Sequence, residues 1–282
     1  TVYQRWGFMS TADTKSAFNA IAAGYDAHDN RNPILQWMRS LVHEVYLKYI
    51  PKGSSILELN AGTGVDAVFL AESGYQVLAT DISEKMIGII QSKGKSETFS
   101  RFQRDQVKKA KIEARVLSFE EISKINENDF DAVVSNFGGL NCINDFSKLS
   151  GDLAAKLKPN GLFIAVVMNK ICPWEIFYYI VTFKFGEAFR RFKKQGIMAE
   201  LNGEKVITYY FTPGEFTAAF SRNFTKVKLF SLGLNTPPPY LLGIYTRLKP
   251  LVKLWMKLDE IFMSLPILSQ MGDHFIIVMK RK

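Results

Sequence analysis

The run Glu58-Leu59-Asn60-Ala61-Gly62-Thr63-Gly64 is the stretch best suited to chemistry. It starts inside a short apolar segment, Ile56 to Leu59, and ends where a helical pattern opens at Val65. Glycines in such a turn let the backbone approach a ligand closely, and the helix N-terminus behind them attracts a carboxylate or phosphate. Seventeen residues beyond Gly64, Asp81 closes a second apolar segment, Gln76 to Thr80. A carboxylate there can accept hydrogen bonds from both hydroxyls of a ribose. Together the two features describe a nucleoside-cofactor site; the plainer alternative is a glycine loop and an N-capping aspartate.

Gly62-x-Gly64-x-x-Ala67 also satisfies the dinucleotide fingerprint, so an NAD(P)-dependent oxidoreductase competes. Glu58 argues against it, because an acid at the strand end repels a pyrophosphate. A sulfonium amino acid carrying an ammonium group suits that acid better. A catalytically silent binding protein is a further alternative.

The elements that must hold these residues alternate. Strands are expected at 56–59, 76–80, 114–117, 130–135 and 162–168, with helices at 65–72, 84–91 and 146–157 between them, and a polar, basic helix at 96–112. Ser83 caps the second helix. Such alternation implies parallel strands joined by right-handed crossovers, a doubly wound α/β sheet. Upstream, Asn32-Pro33 opens a helix in which Ile34, Leu35, Met38, Leu41, Val42, Val45 and Tyr49 recur at helical spacing. A looser segment, Ala22 to Asp29, precedes it. Downstream the pattern is irregular: one or two helices over 174–194, a strand near 206–211, a helix from Thr212 to Phe220, and strands at 227–234 and 275–279. The chain divides into an N-terminal helical lid (1–50), a Rossmann-like core (51–168), a cap insertion (169–212) and a C-terminal completion (213–282) carrying a second cap insertion at 235–272.

The 282 residues include 36 Lys and Arg against 27 Asp and Glu, a net charge of +9. That favours anionic partners, or is simply a basic surface. Two cysteines, Cys142 and Cys172, are too few for a disulfide framework, and no His/Cys grouping has metal-ligand spacing. A cytoplasmic protein without metal is expected. Neither a secretory leader nor a membrane-spanning segment is apparent, since the longest apolar run, 171–183, is interrupted by Glu175.

Ile56 to Gly64, Ala79-Thr80-Asp81-Ile82-Ser83-x-x-Met86, Phe130 to Phe137, and Leu157-Lys158-Pro159-Asn160-Gly161-Leu162 occur in the order seen in class I S-adenosylmethionine-dependent methyltransferases. Over about residues 20–168 the chain resembles their small-molecule branch, which includes the ubiquinone and menaquinone methyltransferases. The resemblance implies a seven-stranded, mostly parallel sheet whose last strand is antiparallel, and S-adenosylmethionine as cofactor. It implies roles by position. Gly62 and Gly64 face the methionine portion, with Asn60 and Ala61 in the same turn and Glu58 near the ammonium. Asp81 holds the ribose, Ile82 packs on adenine, and Met86 belongs to the same matching stretch. Ser118 and Phe119 stand where adenine is read, Asn136 and Phe137 lie beneath the sulfonium, and Tyr25 closes over the carboxylate. Two departures stand out: Asn60 replaces the usual first glycine, and Ser118 replaces the common acid.

Ser135-Asn136-Phe137-Gly138 is not the Asn/Asp-Pro-Pro-Tyr of amino-group enzymes acting on adenine, and no RNA-binding module is visible, so nucleic acid is not an expected partner. The two insertions are rich in aromatic residues, with Trp174, Tyr178, Tyr209 and Tyr210 expected to cap an apolar acceptor: a phenol, quinol, polyketide-like or lipid molecule. A cap with its own small core would account for many of these rings equally well. His28 and His274 are the candidate bases, each with a structural alternative; Glu175 is a weaker one, and His43 reads as a surface or packing residue. The basic helix from Arg247 to Lys257 suits an anionic membrane surface, or an ordinary cap. The oligomeric state is open.

Overall fold

The structure is a computed structural model that describes residues 11–94, 111–201 and 204–282. In chain order its strands are β1 (Ser55–Leu59), β2 (Gln76–Asp81), β3 (Lys111–Val116), β4 (Phe130–Ser135), β5 (Leu157–Met168), β6 (Ile197–Leu201), β7 (Glu204–Thr208), β8 (Phe224–Leu232) and β9 (His274–Arg281). Seven of them form one sheet in the order β3-β2-β1-β4-β5-β9-β8, and β6 pairs with β7 in a separate hairpin. Neighbours from β3 through β5 are parallel, while β9 runs antiparallel to both β5 and β8. This is the doubly wound sheet expected from the sequence.

The helices are α1 (Thr11–Arg31), α2 (Pro33–Tyr49), α3 (Val65–Glu72), α4 (Glu84–Gly94), α5 (Ser147–Lys156), α6 (Pro173–Val181), α7 (Phe185–Ala188), α8 (Pro213–Phe220), α9 (Leu242–Arg247) and α10 (Lys249–Phe262). They cover both faces of the sheet, which is why its central strands read as continuous apolar runs. Ile56 joins the core containing Ile34, Leu70, Ile90, Val252 and Met256. Leu57 and Leu59 join the opposite core with Leu149, Leu153, Phe216 and Phe220. By the two-residue period of a strand, Glu58 points to the same side as Ile56.

Several caps act as expected. Asn32 Oδ1 accepts from the amides of Ile34 and Leu35, and the Ser83 hydroxyl accepts from Met86. Thr212 and Glu215 complete a reciprocal capping box on α8.

Other elements differ from the sequence reading. The segment 22–29 is helical, as part of α1. Its support is tertiary rather than periodic: Asn19 accepts from the Ser83 hydroxyl, and Asp26 pairs with Lys93 and accepts from Thr63. The expected helix at 96–112 lies mostly outside the described residues, and its last two positions, Lys111 and Ile112, open β3. β5 begins five residues early at Leu157, which pairs with Phe130 before Leu162 pairs with Ala132. The intervening Lys158 to Gly161 forms an irregularity with Asn160 in the left-handed region. The strand near 206–211 belongs to the β6–β7 hairpin, not to the main sheet.

A buried ion centre fastens the region after β5 to the sheet. Arg191 donates to both Glu175 and Asp273 and to the carbonyls of Asn169 and Asp273. Arg190 also donates to Glu175, and the Tyr240 hydroxyl donates to the same carboxylate at 2.6 Å. Burial alone would raise the pKa values of Glu175 and Asp273, but their cationic partners outweigh it and hold both carboxylates below their usual range. Cys172 lies with them, within reach of a shared metal ion, yet the Arg191 guanidinium already engages both acids.

Removing one member of such a centre leaves buried charges uncompensated. Arg191→Ala is therefore expected to lower stability by about 3–5 kcal/mol in urea unfolding. A loss under about 1 kcal/mol would mean that the centre is solvated and fastens little.

Candidate functional site

The turn after β1 is built from backbone that ordinary residues avoid. Asn60, Gly62 and Gly64 all take positive φ, at 45°, 55° and 78°. The Ala61 amide donates to the Thr80 carbonyl, and the Gly64 amide donates to the Ala61 carbonyl, so the loop folds back over the end of β2. Asp81 stands there. Its Oδ2 accepts from the Gly62 amide at 2.9 Å and its Oδ1 from the Ser83 amide at 2.8 Å. Each carboxylate oxygen keeps a free lone pair for a ligand hydroxyl. Burial raises Asp81, against the backbone donors that stabilise its charge.

Asn60 in place of glycine has a local explanation. Its amide nitrogen donates to the Asn136 carbonyl and its oxygen accepts from Ser135, tying the ends of β1 and β4 together. The side chain fills the space over Gly139, where an added Cβ would come within 2.2 Å of Asn60 Cγ. The absence of a side chain at Gly139 leaves the room that Asn60 occupies.

A cavity of about 360 Å³ opens over this turn. Tyr25, Asn60, Ala61, Gly62, Asp81 and Ile82 line it, and so do Met86, Ser118, Phe119, Asn136 and Phe137. These are eleven of the thirteen positions expected to meet the cofactor. Gly64 is not among the lining residues. It serves packing instead, since a Cβ there would lie 2.7 Å from Ile90 Cγ1 on α4. Glu58 is not on the wall either; it is buried behind it.

Glu58 has no hydrogen-bond partner for its Oε2 among the described residues. The Tyr46 hydroxyl, in the same neighbourhood, is also unpartnered. Burial, with the charge of Asp66 next, pushes Glu58 well above the usual carboxylate range despite the opposing effect of Arg39. A buried acid in this state favours the proton until a cation comes near.

The residues that sequence reading missed are Arg39 and Asp66, both on the cavity wall. Arg39 donates to Asp66 and to Asp29, each at 2.7 Å, and its guanidinium lies 4.9 Å from the centre of the Phe137 ring. Asp66 also accepts from His43 and from Asn136. Burial opposes its charge, but Arg39 and His43 outweigh burial and hold it below the usual range. His43 is thus a partner of the site, stacked on Phe69 at 3.6 Å, rather than a surface residue. An acid in the first turn of α3 was a visible signal; its partner 27 positions upstream was not.

The expected acid–base groups are placed otherwise. The His28 side chain lies outside the described residues. His274 is buried, bonded to Asp273 at 3.0 Å, with its ring edge-on to Phe137 at 5.7 Å, so it braces the back of that ring and does not line the cavity. Glu175 is locked in the Arg191 centre and is no base. Of the four expected cap aromatics only Tyr209 lines the cavity. Trp174 packs on Trp255 and Tyr178, and Tyr210 lies over Arg191, so these rings form a cap with its own core. Cys142 lines the cavity unanticipated, its thiol pushed by burial up to about 12 and therefore neutral. A second hollow of about 380 Å³ adjoins at Asn144, Asp145 and Tyr209 and is lined by Lys170, Lys193 and Lys194.

Because Asp66 is held below its usual range, its contribution to stability is present above about pH 4 and is lost as pH falls toward its folded value. Asp66→Asn should cost stability at neutral pH and flatten the acid limb of a stability–pH profile. An acid limb as steep as that of the unsubstituted chain would show that Asp66 titrates normally.

Among protein-family models, one described as a methyltransferase domain matches residues 57–165. A demethylmenaquinone methyltransferase of Leptospira interrogans is 28% identical over 163 residues, 56% of this chain and 61% of that protein. The chain thus spans about three fifths of the length of that curated relative. Solved structures share the fold. A SAM-dependent methyltransferase from Methanosarcina mazei superposes with a TM-score of 0.56 at 18% identity, covering 84% of this chain and 96% of that one. The 1,6-didemethyltoxoflavin-N1-methyltransferase of Burkholderia thailandensis, solved with S-adenosylhomocysteine, gives a TM-score of 0.53 at 14% identity, covering 99% and 92%. Residues 57–165 carry a methyltransferase domain, and the chain resembles the class I S-adenosylmethionine-dependent methyltransferases, the menaquinone methyltransferases among them.

Proposed function

We propose that this protein transfers the methyl group of S-adenosylmethionine to oxygen or carbon of an apolar small molecule, such as a phenol, quinol, polyketide-like compound or lipid. The observation that carries the reading is the buried, unpartnered Glu58 behind a wall on which Gly62 and Asp81 stand together. A cationic nucleoside cofactor satisfies both features: Asp81 takes the ribose hydroxyls, and Glu58 gains a positive charge nearby. A dinucleotide pyrophosphate would instead bring negative charge toward Glu58 and Asp66, which disfavours NAD(P). When bound, the cofactor supplies a methyl group already activated by the sulfonium.

The chain's own residues orient and desolvate. Ile82, Met86 and Phe119 offer apolar surface for adenine near the ends of β2 and β3, while Asn136 and Phe137 follow β4 on the other side of β1. Arg39 and the Tyr25 hydroxyl are the donors suited to the cofactor carboxylate; burial keeps that phenol protonated. Phe18, Phe137, Cys142, Ile143 and Tyr209 provide the apolar wall for an acceptor. With Cys142 neutral and His274 off the wall, an acceptor acidic enough to supply its own nucleophile suits the cavity. That suits a phenol or quinol, the chemistry named for the relative that acts on demethylmenaquinone. Positioning and exclusion of water then carry the rate.

The test is incubation with methyl-deuterated S-adenosylmethionine and a panel of reduced demethylmenaquinone analogues, catechols and fatty acids, read by mass spectrometry. Label is expected in a quinol or phenol, and Asp81→Ala should weaken S-adenosylhomocysteine binding roughly tenfold or more, the loss of charge-assisted hydrogen bonds. Thermal stabilisation by NADH and not by S-adenosylhomocysteine would overturn the reading.

A further inference from the structure

The part of the molecule that the site does not use is the outer face of the cap, and its composition is unusual. From Phe177 to Phe192, seven large apolar residues are exposed: Phe177, Ile180, Val181, Phe183, Phe185, Phe189 and Phe192. Phe183 is 83% exposed, and it sits at the end of α6 with φ at 58°, a left-handed conformation in which a bulky residue is strained. Folding thus accepts backbone strain to hold a benzyl group in water beside Phe185, 6.4 Å away centre to centre.

α10 carries a second exposed apolar face. Val252, Met256 and Asp259 turn inward, while Leu251, Leu254 and Ile261, with half-buried Leu258 among them, recur at helical spacing outward. Ile261 is 65% exposed, and Ile267 beyond the helix is 74% exposed. Lys249, Lys253 and Lys257 recur every fourth residue and form a row on the same helix. α6 and α10 are neighbours, because Trp174 packs edge-on to Trp255 at 5.9 Å. Lys184, Lys193, Lys194 and Arg247 add charge of the same sign, against Glu187 and Glu260; Asp259, the other acid of α10, is buried and accepts from the amides of Asn235 and Thr236. No helix of the described residues is long and apolar enough to cross a membrane.

Exposed apolar side chains beside rows of cations are what the interface of an anionic bilayer recognises: rings and leucines enter the acyl boundary while lysines reach headgroup phosphates. We propose that α6, the 182–192 segment and α10 form a docking surface for an anionic lipid bilayer, with Phe183 and Phe185 inserted and Lys253 and Lys257 at the headgroups. A second protein chain would match the apolar area, but the cation rows favour lipid. The proposal is independent of the acceptor, since binding to lipid needs no methyl transfer.

The test is co-sedimentation of the full chain with vesicles of phosphatidylcholine alone and of phosphatidylcholine mixed with phosphatidylglycerol. Binding is expected to the mixed vesicles and to weaken with salt. Phe183→Ser with Phe185→Ser, and separately Lys253→Glu with Lys257→Glu, should each reduce partitioning about tenfold or more, while S-adenosylhomocysteine still raises the thermal midpoint. Quenching of tryptophan fluorescence by brominated lipid reads insertion in the unsubstituted protein and so covers a variant that fails to fold. Absence of binding to the mixed vesicles, undiminished binding by both variants, or a dimer in light scattering that the phenylalanine substitutions dissociate would each overturn the proposal.

Discussion

One buried carboxyl group governs the site. Glu58, Asp66 and Asp81 converge where β1 and β2 end, and among the described residues cationic side chains bond directly only to Asp66. Asp66 is fully engaged by Arg39, His43 and Asn136. Asp81 is held by backbone amides and retains acceptor capacity. Glu58 has burial and two like-charged neighbours against the opposing effect of Arg39, and its Oε2 has no partner among the described residues. A carboxylate in that position is expensive to keep ionised unless a ligand brings positive charge. The electrostatic gap defines the ligand more sharply than the glycine turn, which sulfonium and dinucleotide cofactors can share.

The Asp66 pair also explains how the helices before β1 reach the cofactor site. Arg39 on α2 links Asp66 on α3 to Asp29 on α1 and lies over Phe137 after β4. Four segments distant in sequence therefore depend on one guanidinium. His274 extends the chain of contacts through Phe137 to Asp273 and the Arg191 centre. Phe137, at φ of 37°, is one link between the cavity and the cap.

What the sequence disclosed was whatever is local. The strand–turn–helix around Gly62, the acid at Asp81 and the caps at Asn32, Ser83 and Thr212 depend on neighbours within a few residues, and all form as their types dictate. Where contacts are distant, reading failed or misled. Gly64 looked like a ligand contact because the reason for its glycine is Ile90, on another helix. Asn60 looked like a defect because its counterpart, Gly139, follows a different strand. Arg39 was indistinguishable from a surface charge, so the partner of Asp66 stayed hidden. The cap aromatics suggested a lid, yet composition does not say that Trp174 faces Trp255 or that Tyr210 faces Arg191. β6, the partner strand of β7, escaped notice because Ile197 to Leu201 mixes small and polar residues with few strand formers.

The most direct measurement of the central claim is the proton balance of cofactor binding. Calorimetric titration of S-adenosylmethionine near pH 6.5, in buffers of different ionisation enthalpy, reports protons released on binding. The account predicts release by the unsubstituted protein, as Glu58 ionises against the incoming cation, and loss of that release in Glu58→Gln. Equal proton release by both proteins, or none by either, would contradict it.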